Sequence, residues 1–265
     1  LVGGGAYDYK DSGKPMKDLI PKGADWIQDY VTGFDADNNI VKTHNSGDIA
    51  YEYLIVAPGL VMDLTLIEGL QSSLDKGVVC SNYTDSEHTW EVIKNFKGGN
   101  AVFTQPTTPI KCGGAPQKIA YLAADYFGKN NIDANVIFAT PGTVLFGVKE
   151  IRETLEKVVE RYGMHFKPYY APVKIDADNK VITFKYAGKD ENKCVINETG
   201  NIGEKTSGEA FIEVPFDMLH LAPPQTAPKF IKESNLVTEQ GWVDVNINSL
   251  QHNVYPNIFG LGDVA

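Results

Sequence analysis

Residues 101–130 read AVFTQPTTPIKCGGAPQKIAYLAADYFGKN. The opening Ala101-Val102-Phe103 is a short apolar run of the kind a buried strand shows. Pro106 and Pro109 interrupt it, and Cys112 stands just before Gly113-Gly114-Ala115-Pro116. Beyond Pro116 the apolar residues Ile119, Leu122 and Phe127 fall at spacings of three and five, which predicts a helix. Pro116 suits the first helical position, where a backbone donor has no partner anyway. Cys112 is therefore expected at or just ahead of a helix N-terminus, where free N–H groups and the helix dipole attract negative charge. Lys111 and Lys118 add cations nearby. Strand, exposed loop and a cysteine beside positive charge make Cys112 a candidate nucleophile.

Ala134 to Ala139 is a second apolar run, so strand, helix and strand follow within about 40 residues, the length of a βαβ unit. The fold class expected is α/β, with a Rossmann-like parallel sheet. A nicotinamide site in such a unit needs close-set glycines directly after the first strand. This chain has Thr104-Gln105-Pro106-Thr107-Thr108-Pro109 there. The second strand ends at Thr140-Pro141-Gly142, where a charged residue would read the ribose. The architecture is expected to be kept and the NAD site to be missing.

Outward from this unit, Ala24 to Gly59 reads as a β-meander. Trp26, Tyr30, Ile40, Val41, Ile49 and Tyr51 are its strand signals, with turns at 35–39 and 45–48. Its last strand, Tyr53 to Ala57, is continuously apolar and is expected to be buried on both faces. Trp90, Ile93 and Phe96 mark a short helix whose aromatic face packs a core. Glu150 to Tyr162 predicts a helix with Ile151, Leu155, Val158 and Val159 on one face. Strands are expected within 165–188 and 211–221, and at Trp242–Val245 and Ile258–Leu261. Lys189 to Glu209 is polar and reads as an exposed hairpin. Ala222-Pro223-Pro224 and Pro228 mark a crossing between domains. The expected divisions are 1–80, 81–225 and 226–265. Leu1-Val2-Gly3-Gly4-Gly5 resembles a dinucleotide fingerprint, but no strand precedes it and the polar run Tyr7 to Lys17 reads as loop.

Composition narrows the function. With 265 residues, 43% hydrophobic and 22% charged, the chain can fold around a full core. A net charge of −10 argues against a nucleic-acid partner. No apolar run reaches the roughly 18 residues that would cross a bilayer. Cys80, Cys112 and Cys194 are scattered without a CxxC pair, so no zinc site or disulfide framework is signalled. Cys80 and Cys194 have no setting like that of Cys112 and are expected to be structural. No histidine is at metal-ligand spacing from another, and His220 is expected to be a core residue.

The segment Pro109 to Ile119, PIKCGGAPQKI, resembles the signature of sulfide:quinone oxidoreductases of the mitochondrial and bacterial type. Ser81-Asn82-Tyr83, Phe146-Gly147-Val148-Lys149, Asp217-Met218-Leu219-His220, Gly241-Trp242-Val243-Asp244 and Tyr255-Pro256-Asn257 extend the likeness along essentially the whole chain. The resemblance implies a flavoprotein with two Rossmann-like domains, the β-meander belonging to the FAD-type one. It implies that Tyr53 to Gly59, ending in Pro58-Gly59, passes near the flavin nucleotide. Val31 would offer its backbone to the adenine, and Asp263 of Gly262-Asp263 would bond the ribitol. Cys112 would be the cysteine nearest the flavin ring and would carry a persulfide sulfur. The implied partners are sulfide, quinone and a sulfur acceptor, with peripheral attachment to the mitochondrial inner or bacterial cytoplasmic membrane. The N-terminal flavin fingerprint and the C-terminal region of that family are not found here. The chain alone is therefore expected to be inactive and to hold FAD weakly or not at all. The rival expectations are an NAD(P)H-dependent flavin oxidoreductase and a non-catalytic binding module.

Overall fold

The computed structural model describes residues 1–188, 201–208 and 210–265. After three short 3-10 turns within residues 2–18, the strands begin with β1 (Val31–Asp35), β2 (Ile40–Thr43), β3 (Asp48–Ala50), β4 (Leu54–Val56) and β5 (Val61–Met62). There follow α1 (Leu70–Ser73), β6 (Val79–Cys80), α2 (Ser86–Asn95), β7 (Gly99–Thr104), α3 (Ala115–Lys129), β8 (Ala134–Ala139), α4 (Lys149–Arg161) and β9 (His165–Lys167). The remainder comprises β10 (Tyr170–Asp176), β11 (Val181–Tyr186), β12 (Lys205–Ser207), β13 (Phe211–Pro215) and β14 (Met218–His220). Last come β15 (Gln225–Thr226), α5 (Lys229–Lys232) and β16 (Ile258–Gly260).

Two compact units result, one from Leu1–Gly13 and Asp63–Pro224, the other from Lys14–Met62 and Gln225–Ala265. The chain thus crosses between Gly13 and Lys14 and returns at Met62/Asp63, not after residue 80, so of the segment expected over 1–80 only residues 14–62 belong to the second unit. The reason is pairing: Val79 and Cys80 run parallel to Leu219 and His220, which ties residues 63–80 to the first unit.

The first unit has three layers. Its centre is a five-stranded sheet in the order β6-β14-β7-β8-β9, parallel throughout. Alternation along β7 divides its side chains between two cores. Ala101 and Phe103 face the helices, meeting Ile93 of α2, Ile119, Ala120, Ala123 and Phe127 of α3, and Val159 of α4. Val102, Ile137 and Leu219 face the opposite way, against Ile175, Ile182, Phe184 and Val214 of an antiparallel sheet ordered β10-β11-β13-β12. Burial on both faces explains the unbroken apolar runs of β7 and β8.

Several sequence expectations shift in detail. The stripe of α3 that lies on the sheet is carried by Ile119, Ala120, Ala123, Ala124 and Phe127, while Leu122 sits on its flank against Gly4. α2 begins at Ser86, four residues before Trp90, because the Asp85 carboxylate accepts from His88 N at 2.8 Å and caps it. In α4 only Val159 is fully buried, and Ile151 is exposed. Residues Gly3 to Gly5 are not a nucleotide loop. A Cβ on Gly3 would overlap Asn82 Oδ1, and one on Gly5 would lie 2.4 Å from the Trp90 ring. These glycines therefore serve close packing on α2, on the turn before it and on α3. Most of the hairpin expected over 189–209 lies outside the described residues. Within it, β12 pairs antiparallel with β13.

The second unit contains the antiparallel sheet β1-β2-β3, but the fourth strand of the expected meander leaves it. β4 instead runs parallel to β16, with Leu54 opposite Ile258 and Val56 opposite Gly260. Nor is this strand buried on both faces: Val56 is buried, whereas Tyr53 and Ile55 are 74% and 62% exposed. Parallel strands normally have both faces covered. Among the described residues, only one side of β4 meets a packed cluster, that of Ile231, Leu236, Val243 and Ile258. Trp26 and Tyr30 precede the sheet and are exposed. Trp242–Val245 forms isolated bridges, Val243 with Val237 and Val245 with His252, rather than a strand.

Candidate functional site

Cys112 lies in the loop between β7 and α3, at the carboxyl end of the parallel sheet. Gly114 is the helix cap, no side chain caps it, and Pro116 is the second helical residue rather than the first. A tight turn precedes the helix: Ala115 N donates to Cys112 O at 2.8 Å. Cys112 itself has φ +62°, in the left-handed region. For a residue with a Cβ that conformation costs on the order of 1 kcal/mol, and such outliers concentrate at functional sites. Its side chain is exposed, and the Lys118 ammonium donates to Sγ at 3.6 Å. Lys118 reaches back because it lies one turn into α3, its own N–H bonded to Gly114 O at 3.0 Å.

The surroundings hold this loop. Tyr83 OH donates to Lys111 O at 3.3 Å. Tyr83 belongs to the turn between β6 and α2, where Asn82 N donates to His220 Nε2 at 3.0 Å. Across the loop, Gln105 N donates to Ala139 O at 3.0 Å, and Thr140 Oγ1 both donates to Gln105 Oε1 and accepts from Gly142 N. The buried Gln117 amide donates to Leu145 O, and its oxygen accepts from Tyr121 OH at 3.0 Å. Burial pushes the Tyr121 phenol up to about 12. Gln105, Thr140 and Gly142 are thus paired with one another at the carboxyl edge of β7 and β8, while the buried Thr104 hydroxyl has no hydrogen-bond partner among the described residues. The contact from Tyr83 was hidden in the sequence, where nothing local links positions 28 residues apart.

The other cysteines differ. Cys80 is fully buried in β6, its Sγ 3.6 Å from Leu219 O, and burial pushes its thiol up to about 12. Cys194 lies outside the described residues. At pH 7, iodoacetamide should therefore alkylate Cys112 while Cys80 stays unmodified until the chain is unfolded. Peptide mapping by mass spectrometry checks this, and equal labelling of the two would refute it. His220 is fully buried in β14 and stacks on Phe103 with ring centroids 5.7 Å apart. It is a core residue of the helix-facing side rather than an exposed base.

The residues suggested for flavin all lie in the second unit. Leu261 N donates to Val56 O at 3.0 Å, so β4 and β16 leave their parallel pair at the same end. Pro58-Gly59 issues from one strand and Gly262-Asp263 from the other. Gly59 and Gly262 have φ +72° and +75°, and a Cβ on either would meet no atom within 4 Å. Two left-handed turns with open space beside them, at the carboxyl ends of parallel strands, fit a nucleotide edge. Val31 opens β1 on the separate antiparallel sheet, half-buried and opposite Thr43. Among the described residues no cluster of His, Cys, Asp or Glu could hold a metal ion. Among them, too, no helix is long and apolar enough to cross a membrane.

No protein-family model matches the chain. Two curated relatives align with nearly all of it. The mitochondrial sulfide:quinone oxidoreductase of Dictyostelium discoideum is 41% identical over 271 residues, covering 100% of this chain and 55% of the relative. That of Mus musculus is 36% identical over 267 residues, covering 99% of this chain and 55% of the relative. The solved sulfide:quinone oxidoreductase of Aquifex aeolicus superposes with a TM-score of 0.75 at 21% identity, covering 100% of this chain and 58% of that one. The chain is thus a partial match to sulfide:quinone oxidoreductases and spans about half the length of the curated relatives. Its fold is the α/β fold shared with that structure, with an engineered water-forming NADPH oxidase (TM-score 0.59, 16% identity) and with a ferredoxin reductase from Rhodopseudomonas palustris (TM-score 0.59, 14% identity).

Proposed function

We propose that this chain is the cysteine-bearing part of a flavin-dependent sulfide:quinone oxidoreductase, in which Cys112 ends as a persulfide: the Cys112 thiolate and HS⁻ join through a new S–S bond, one proton is released, and the two electrons would leave to the flavin and then to quinone. The observation that carries the proposal is the geometry at Cys112. An exposed thiol in a strained left-handed turn has an ammonium on its sulfur, at the carboxyl edge of a parallel sheet. The alignment with the relatives supports the substrate class.

In this reading Cys112 Sγ is the atom that carries the transferred sulfur, and Lys118 Nζ, 3.6 Å away, orients it. The carboxyl-edge turns Pro58-Gly59 and Gly262-Asp263 would hold FAD, Asp263 toward the ribitol and the Val31 backbone toward the adenine. When bound, the flavin supplies a two-electron acceptor that quinone can reoxidise. The glycines that would cradle its pyrophosphate are absent from the described residues, since Gly3 to Gly5 are committed to packing. The chain by itself should accordingly hold FAD weakly or not at all and be inactive alone. The whole protein would act peripherally at the mitochondrial inner or bacterial cytoplasmic membrane and pass its sulfur to an acceptor.

The rival is an NAD(P)H-dependent flavin oxidoreductase. Against it, the segment after β7 has no glycine before Gly113, and the polar atoms of Gln105, Thr140 and Gly142 are paired with one another. Titration calorimetry of the chain with NADH should give no saturable binding in the micromolar range. A stoichiometric micromolar isotherm would favour the rival.

A further inference from the structure

We infer that Tyr83 is the positioning residue of Cys112, holding the cysteine in its left-handed conformation and its sulfur on Lys118. Two peptide planes set that conformation. Rotation about the Cys112 N–Cα bond, which is φ, is fixed by the plane of the 111–112 peptide. Rotation about Cα–C is fixed by the 112–113 peptide. Both planes are gripped through their carbonyl oxygens. Cys112 O accepts from Ala115 N at 2.8 Å, and Lys111 O accepts from Tyr83 OH at 3.3 Å. The second grip comes from outside the loop, and so can impose a conformation that the loop's own energetics disfavour.

Tyr83 can do this because its own turn is braced. Ser81 N donates to Asp75 Oδ1 at 3.2 Å, Asn82 N to His220 Nε2 at 3.0 Å, and Tyr83 N to Ser81 Oγ at 3.2 Å. Directly after it Asp85 caps α2. The phenol thus projects from a fixed base. With φ held at +62°, Sγ meets Lys118 Nζ at 3.6 Å, and an ammonium beside the sulfur guides a nucleophilic thiol's approach geometry and holds the sulfur in place.

The inference rests on Cys112 being the reactive thiol proposed above, and its test reads the thiol of this chain directly. Iodoacetamide alkylation at pH 7 is compared in the wild type, Tyr83→Phe, Lys118→Gln and the double variant. Lys118→Gln should slow alkylation of Cys112 by up to about fivefold, the scale of an exposed charge pair. Tyr83→Phe should slow it by about two- to fivefold for the same reason. The double variant should be no slower than Lys118→Gln alone, because Tyr83 acts through that contact. An unchanged or faster rate in Tyr83→Phe, or two factors that multiply, overturns the inference. Protection of Cys80 in the same samples reports that the fold is intact. As a second measurement, the NMR backbone shifts of Cys112 should leave left-handed values in Tyr83→Phe and keep them in Lys118→Gln. Retention of left-handed shifts in Tyr83→Phe also overturns it. Coupling between Tyr83 and Lys118, found together with a longer protein inert toward sulfide, would count against the proposed function and leave the positioning role standing.

Discussion

Cys112→Ser, placed in a protein of the relatives' full length that carries this chain, should abolish sulfide-dependent quinone reduction while leaving fold and flavin spectrum intact. The side chain is exposed, so little packing is at stake. Serine is nearly the same size, and the stability change should be on the order of 1 kcal/mol or less. The chemistry fares differently. An alcohol cannot become a persulfide, and at neutral pH it is a far poorer nucleophile than a thiolate. Loss of an essential nucleophile elsewhere costs roughly three orders of magnitude or more in turnover, and the same scale is expected here. Cys80→Ser should keep most activity, because Cys80 is enclosed in the sheet and reaches no substrate. The assay is quinone reduction at saturating sulfide, with absorbance spectra before and after sulfide addition. Turnover at the wild-type level in Cys112→Ser would remove Cys112 from the mechanism.

What the sequence disclosed about this site depended on whether the determinant was local. β7, α3 and β8 were legible because each carries its own pattern: two apolar runs of strand length, with a helix opened by Gly114-Ala115-Pro116 between them. The exposed position of Cys112 followed from the same punctuation, since Pro106 and Pro109 end the strand before the loop. β6 and β14 were not legible as neighbours. Each is two or three residues long, and their parallel pairing joins Cys80 to His220 across 140 positions without a local mark. The parallel match of β4 with β16 is hidden in the same way, and there the apolar run Tyr53 to Ala57 misled. Continuity of apolar residues signals two covered faces only where elements lie on both, and among the described residues nothing covers Ile55. The alanines of α3 were passed over for Leu122 because pattern reading favours large residues, whereas a helix lying close on a sheet favours small ones. The left-handed turn at Cys112 could not be read at all, since it is imposed by Tyr83 and Ala115 rather than by a glycine.

The stability of the first unit should fall as pH drops from 6.5 toward 3, with His220 as a principal cause. His220 is wholly buried, and its Nε2 accepts from Asn82 N at 3.0 Å. The neutral ring therefore carries its proton on Nδ1. Protonating Nε2 would set two donors against each other in a site closed to water. Burial pushes the His220 pKa down to about 3, against 6.5 for the free side chain. The sign follows from proton counting. Between pH 6.5 and 3 the unfolded chain binds a proton that the folded chain refuses, so stability rises with pH there. The contribution is fully present above 6.5 and is lost on acidification, at up to about 1.4 kcal/mol per pH unit. Asp125 and Asp176, whose carboxyls are held below the usual range by Lys129 and by Asn179 respectively, act in the same direction. A variant comparison separates them from the histidine. His220→Gln keeps an acceptor for Asn82 N but does not titrate. It should be less stable than the wild type at pH 7.5, and the gap should narrow by roughly 2–3 kcal/mol on going from pH 6.5 to 4.5. Urea midpoints at four pH values across that range measure the gap. Parallel curves for the two proteins would mean that His220 is solvated or already protonated in the native state. Its role as the neutral acceptor that fixes the turn beneath Tyr83 would then have to be abandoned.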